Sequence, residues 1–317
     1  MLDNFIFSLN VVLPLFVLMA AGYIVRHIRM VKLHFFAQLN KLVFQFFLPL
    51  MLFQDIRSSY NGDFSNTKLI ITAVVGITAI IALSFLMVPL LIKQSGRRGS
   101  IIQAIYRSNF LIYGLPLATG MYGQEAVAGI SMLMCIMIPF YNVSAVIILS
   151  VFSETGEKKA TVKNVLKDIA TNPLILGSIL GLLGGMTHLQ LPEFLDRPLI
   201  SLAMTATPLA LFVMGGEFRF GSLRDNIVPV ILTTVTRLLI VPVIVLFICA
   251  RYLEFRGVDL AILVSLFATP TAMASYIMAY NMGNDGKLAG QIVVLSTACS
   301  CVTIFLIIYC LRAWGLL

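Results

Sequence analysis

The chain has 317 residues, 59% of them hydrophobic and 11% charged, with a formal net charge of +8. Apolar stretches long enough to cross a bilayer recur from end to end, which excludes a water-soluble protein of about two domains. The positive balance then reads as loop charge on one side of a membrane, not as a surface for nucleic acid.

In chain order the sequence predicts an all-α membrane protein of ten transmembrane helices. The spans are Phe5–His27, Phe35–Ile56, Lys68–Ile92, Ser100–Met121, Ala126–Phe152, Ile169–Met186, Leu195–Gly216, Asn226–Ala250, Val258–Tyr280 and Lys287–Trp314. Each is near the roughly 20 residues that cross a hydrocarbon core. Residues 1–152 hold the first five spans, 153–168 form a cytoplasmic loop, and 169–317 hold the second five. No cleavable signal peptide is expected, because the first basic residue, Arg26, follows the first apolar run. Loops on one side carry 15 Lys and Arg, among them Arg107, Lys158, Lys159, Arg219 and Arg224; the other side carries 6, and Arg237 stays inside a span. That asymmetry predicts a multi-pass protein of the cell (inner) membrane with both termini outside.

Five spans per half require any internal repeat to be inverted. Prolines supply the pattern: Pro14 and Pro173, and Pro49 and Pro208, are each 159 apart, Pro89 and Pro242 are 153 apart, and Pro116 and Pro270 are 154 apart. Gly22 and Gly181 share the 159 offset. The expectation is two inverted five-helix repeats.

Two of these prolines interrupt spans 4 and 9. Proline donates no backbone N–H and clashes with the preceding turn, so Pro116 and Pro270 should free the carbonyls of Ile112 and Leu266. Loosened backbone at membrane depth is tolerated where protein or a wet cavity covers it, and paired breaks mark transporter binding sites. The half-helix N-termini suit a carboxylate and the freed carbonyls suit a cation. Candidate site residues are Asn109, Tyr113, Gly114, Pro116, Thr269, Pro270, Thr271 and Ser275, with Ser108 beside them. Span 5 adds Asn142, Tyr141 and Ser144. Span 10 adds Gln291, Ser296, Thr297, Ser300 and Thr303. For the hydroxyls at the breaks the alternative is that they satisfy loosened backbone; for the polar residues of spans 5 and 10 helix–helix hydrogen bonding is an equal explanation. Arg237 lies ~16 Å along span 8 from Asn226; it either balances an anionic substrate or is held by carbonyls of the broken helices.

Other features are structural. Gly177, Gly181 and Gly185 share a face of span 6, a close-packing pattern against another span or another subunit. The five cysteines and three histidines have no metal-ligand spacing. No nucleotide-binding loop is present, so ATP is not the driver. No cofactor is called for, and coupling to Na+ or H+ is left open.

The stretches Ala268–Ser275, Met282–Asp285, Ser296–Ser300, Asn172–Gly177, Pro208–Gly216 and Asn109–Leu117 resemble the auxin efflux carrier family of membrane transporters, including its bacterial members. The resemblance runs from near Val12 to near Thr303. It implies crossed, discontinuous helices 4 and 9, a scaffold of spans 1, 2, 6 and 7, and a transport domain of spans 3–5 and 8–10. It also implies export or exchange of organic anions. One departure falls after the crossover prolines, where plant auxin exporters carry asparagine and this chain carries Leu117 and Thr271. The expected function is secondary transport of a small organic anion, a mono- or dicarboxylate, by alternating access. The alternative is a sodium-coupled symporter of the bile-acid type. An enzyme is not expected, since no histidine or acid pair lies within the spans. The expected partners are the anion and the bilayer, without nucleic acid; a homodimer through the scaffold spans is left open.

Overall fold

The computed structural model describes residues 2–62, 64–154, 162–218 and 223–317, with backbone alone at 2–12, 111, 162 and 223–225. Lys158, Lys159 and Arg219 of the loop-charge argument lie outside the described residues, as does the side chain of Arg224. Fifteen α-helices are present among the described residues: α1 (Leu2–His27), α2 (Leu33–Leu42), α3 (Leu48–Ser59), α4 (Thr67–Leu91), α5 (Ser95–Tyr106), α6 (Leu115–Tyr122), α7 (Glu125–Phe152), α8 (Val162–Thr171), α9 (Pro173–Met186), α10 (Glu193–Glu217), α11 (Leu223–Val235), α12 (Val241–Arg251), α13 (Gly257–Phe267), α14 (Ala274–Asn281) and α15 (Gly286–Ala313). An all-helical chain is what an apolar solvent demands, because helices satisfy their backbone groups internally.

Six helical stretches among the described residues are long and apolar enough to cross a membrane: Leu33–Ser59, Thr67–Leu91, Glu125–Phe152, Glu193–Glu217, Asn226–Arg251 and Gly286–Ala313. A seventh is the pair α8 and α9, bent by 57°. The bend has a local cause. Pro173 cannot continue α8, and the Asn172 side chain caps α9 by accepting from Leu174 N at 3.0 Å and Ile175 N at 3.4 Å. Part of the segment expected as a loop is therefore helix α8. The expected spans Ser100–Met121 and Val258–Tyr280 are each split by irregular backbone, at 107–109 and 268–273. Large apolar side chains such as Leu86, Leu90, Val243 and Phe247 stand exposed on the outer helix faces, as a lipid-facing surface requires.

At three positions a proline follows a widened turn and does not break its helix. Five-residue π-helical turns occupy Val43–Phe47, Phe110–Gly114 and Thr236–Ile240. Each ends two residues before a proline: Pro49, Pro116 and Pro242. A proline ring collides with the carbonyl four residues back, and a wider turn moves that carbonyl aside. Pro116 thus lies inside a continuous helical run, Phe110–Tyr122, and the break in span 4 comes earlier, at Arg107–Asn109. The expectation that Pro116 itself breaks the helix is corrected by this.

Two helix pairs pack unusually closely, α1 along α10 and α3 along α9. A Cβ added to Gly22 would meet the backbone of Phe212, and one added to Gly215 the backbone of Met19. On the other pair, Cβ atoms at Gly177, Gly181 and Gly185 would meet Pro49, Phe53 and Tyr60. The glycine face of α9 is therefore filled by α3 of the same chain.

Candidate functional site at the helix crossing

The two broken spans meet at their breaks. Ser108 and Thr271 form an antiparallel β-bridge. Asn109 N–H donates to the Pro270 carbonyl at 2.7 Å, and Ala272 N–H donates to the Arg107 carbonyl at 3.0 Å. Backbone groups that lost their helical partners thus satisfy one another across the break, as burial requires. The bridge pairs residues 163 apart, Ser108 with Thr271, so the partner of the Pro270 region is Arg107–Asn109. The pairing of Pro116 with Pro270 at an offset of 154 is not what the crossing uses.

Arg237 enters from the π turn between α11 and α12 and is fully buried. Its Nε and Nη2 donate to the Thr269 carbonyl at 3.0 and 2.8 Å. Nη1 donates to the carbonyls of Ile105 at 3.1 Å and Tyr106 at 3.5 Å, and Nη2 also reaches Leu266 at 3.4 Å. A guanidinium has five donors, and these five bonds use them. The carbonyls belong to the C-terminal ends of α5 and α13, where helix dipoles place partial negative charge. One cation therefore closes both half-helix C-termini.

Arg107 is a second buried guanidinium, 5% exposed, at the break itself. Arg107, expected among the loop charges, sits inside the fold. Nη2 donates to Asn142 Oδ1 at 2.7 Å, and Nη1 points at Met278 Sδ at 2.7 Å. With its amide turned so that both ends are satisfied, Gln103 accepts from Arg107 Nη1 at 3.2 Å and donates to the Ser275 carbonyl at 3.3 Å. Asn142 in turn donates to Ser178 Oγ of α9 at 3.0 Å. All of these partners are neutral.

A cavity of about 60 Å³ opens beside the crossing, between α3, α7, α9 and the two breaks. Its polar lining is Arg107, Ser108, Asn109, Tyr141 and Thr207. At ~10–15 Å³ per water-sized group it has room for only a few such groups. The start of α14 contributes Ala272, Met273 and Ala274. The Asn109 amide is 6% exposed and makes no side-chain hydrogen bond among the described residues. Ser108 Oγ and the Tyr141 hydroxyl are 3.0 Å apart.

The other expected residues take varied places. Thr271 spends its hydroxyl on the Ala104 carbonyl at 2.9 Å, and its N–H reaches Ser296 Oγ at 3.3 Å. Thr269 Oγ1 and Ser275 Oγ are buried without a hydrogen-bond partner among the described residues. Gly114 packs on Phe110, whose ring a Cβ there would meet. Tyr113 and Pro116 do not line the cavity. The Tyr113 hydroxyl lies near Ser300 without hydrogen-bonding geometry to it; the Ser300 hydroxyl turns to the Thr297 carbonyl at 2.7 Å. Ser296 and Thr303 likewise bond their own helix, to Val293 and Ser300. Gln291 bonds Asn226 Nδ2 at 2.9 Å.

A second polar cluster escaped the sequence reading. Tyr276 OH donates to Glu217 Oε2 at 2.6 Å and accepts from Asn40 Nδ2 at 3.0 Å, and Asn281 Nδ2 donates to Asn40 Oδ1 at 2.7 Å. Glu217, Tyr276, His34, Lys287 and Gln291 line a larger cavity of about 310 Å³. No spacing rule connects Asn40 with Asn281. Arg107 did carry a signal, since it directly precedes Ser108 and Asn109 at the interruption.

Comparison with known proteins finds relatives described as transporters. A protein of Methanocaldococcus jannaschii described as an uncharacterized transporter is 23% identical over 317 residues, 98% of this chain and 99% of that one. The "Putative malonate transporter" of Rhizobium meliloti is 22% identical over 310 residues, 97% of each chain. The model of the membrane transport protein family matches residues 7–308, and the chain belongs to that family, the family of the auxin efflux carriers.

Proposed function

We propose that the protein is a secondary transporter that moves a small organic anion, a mono- or dicarboxylate, through the helix crossing by alternating access. The observation that carries this is the bridged pair of breaks beside a small cavity. The cavity wall includes the buried Arg107, the buried Asn109, whose side chain makes no hydrogen bond among the described residues, and the N-terminal turn of α14. A mostly apolar pocket whose wall includes a buried arginine suits a small anion, and half-helix N-termini favour anions. The Rhizobium relative, named for malonate, supports a short carboxylate.

In this reading the chain crosses the cell membrane ten times as two inverted repeats, with both termini outside. The close helix pairs support the repeat. The 159-residue offset carries Gly22 onto Gly181 and Phe53 onto Phe212, so the contact of Gly22 with Phe212 and that of Gly181 with Phe53 exchange under it. Spans 1, 2, 6 and 7 form the scaffold, against which spans 3–5 and 8–10 move. The sodium-coupled alternative is less favoured, because the Leu266 carbonyl, one of the two expected to suit a cation, accepts from Arg237.

Uptake of radiolabelled malonate, acetate and succinate into proteoliposomes, with and without sodium, tests the proposal. Saturable anion uptake that persists without sodium is expected. Absence of uptake and of exchange for every carboxylate would sink it, and strict sodium dependence would restore the alternative. Orientation is tested separately: a cysteine at Asn61 should react with impermeant thiol reagents in intact cells and one at exposed Lys93 should not. The reverse pattern would overturn the topology.

A further inference from the structure

We propose that Arg107, and not Arg237, is the residue that binds the carboxylate of the transported anion. The proposal rests on the anion-transport reading above. Both guanidiniums are buried in the middle of the fold, and neither belongs to the three ion pairs found among the described residues, Arg57–Asp196, Arg97–Asp285 and Arg197–Glu193. A buried cation is costly unless its donors are used and its charge is balanced.

Arg237 meets that requirement within the protein. Its five bonds end on carbonyls at two helix C-termini, whose dipoles supply the compensating negative charge. No donor is left for a ligand, and Arg237 is absent from the cavity wall.

Arg107 does not meet it. Its acceptors are the Asn142 amide oxygen, a thioether sulfur and, with the amide turned, Gln103. No bond to its Nε is formed among the described residues, and it lines the cavity. The Asn109 amide lines the same space, nine-tenths buried and unpartnered. A carboxylate there completes both groups, accepting from a planar guanidinium fork and from an amide. Arg107 is the one cationic residue among those lining the cavity, so the site recognises one carboxylate per substrate. A second carboxylate of a dicarboxylate would rest on the α14 N-terminal turn.

The same geometry links binding to the scaffold contact. Arg107 holds Asn142, and Asn142 holds Ser178 on α9. A carboxylate that takes over the Arg107 fork competes with Asn142 for it, and so loosens the chain that ties α7 to α9.

The test uses purified full-length protein and malonate, with binding read by calorimetry and by the thermal shift it produces. Arg107→Gln should weaken malonate binding by at least ~30-fold, the low end for losing one member of a buried charge pair. Arg107→Lys should retain part of it. Asn142→Asp is the decisive companion. It places a carboxylate 2.7 Å from Nη2 in the geometry now held by the amide, so it should raise the unliganded melting temperature while abolishing malonate binding. A merely structural Arg107 would lose stability in the first variant and keep malonate binding in the third. Either Arg107→Gln or Asn142→Asp binding malonate as tightly as the wild type overturns the assignment. Should Arg107→Gln fail to fold, Asn142→Asp decides. A wild-type protein that neither binds nor transports any carboxylate would instead sink the anion-transport reading, and this assignment with it.

Discussion

Two arginines lie buried near the centre of this protein, and their surroundings differ in kind. Arg237 is enclosed by backbone carbonyls and does not line the cavity at the crossing; Arg107 is surrounded by neutral side chains and does line it. The same residue type therefore performs two tasks at one crossing. One arginine replaces the hydrogen bonds that two helices lose by ending inside a membrane protein. The other carries a charge that forms no ion pair among the described residues. Burial alone separates structural from functional charge poorly; the acceptor set separates them.

The largest expected effect follows from that contrast. Arg237→Gln removes most of the donors that satisfy the carbonyls of Ile105, Tyr106, Leu266 and Thr269. Each carbonyl left unpaired costs ~1–3 kcal/mol, so the variant should lose at least ~3 kcal/mol or fail to fold. Arg237→Lys offers three donors in place of five and should fall between. Thermal unfolding in detergent measures both. A glutamine variant as stable as the wild type, and deficient only in anion binding, would reverse the roles given to the two arginines.

The two crossover prolines sharpen the comparison next. Pro270 lies within the second break and its carbonyl receives the Asn109 N–H. Pro270→Ala permits α13 to extend, which would draw Pro270 out of the bridge; transport should fall with the protein still folded. Pro116 lies in a continuous helical run away from the cavity. Pro116→Ala should change transport little and stability by less than ~1 kcal/mol, since the π turn can relax to α-helix. Equal transport defects in the two variants would place the functional break at Pro116 after all.

The smallest contrast is between the two halves. Gly22→Ala and Gly181→Ala each push a methyl into the backbone of a facing helix, at Phe212 and Phe53. Overpacking of this sort costs ~1–3 kcal/mol. If the halves are related by the 159-residue offset, the two losses should be similar. A large loss at one site with none at the other would count against the repeat.

Much of this molecule was legible before its structure. Hydropathy fixes an apolar helical chain, because length and composition alone decide what can cross a bilayer. The interruptions near Asn109 and Pro270 are visible as polar and proline residues within apolar runs, and the glycine face of Gly177, Gly181 and Gly185 announces close packing. Local chemistry also hid things. A proline in a membrane helix can break it or widen it, and at Pro49, Pro116 and Pro242 it follows a π turn; which outcome wins depends on what the neighbouring helices supply to the displaced carbonyl. Arg107 looks like loop charge when read beside Ser108 and Asn109, because nothing in its neighbours along the chain says that α7 and α14 will close over it. The acceptors of Arg237 lie some 30 and 130 residues away in sequence, and the bridge joins Ser108 to Thr271. Periodicity and composition are local quantities and determine the helices; acceptor sets and cavity walls are sums over distant segments, and only tertiary packing brings those segments together.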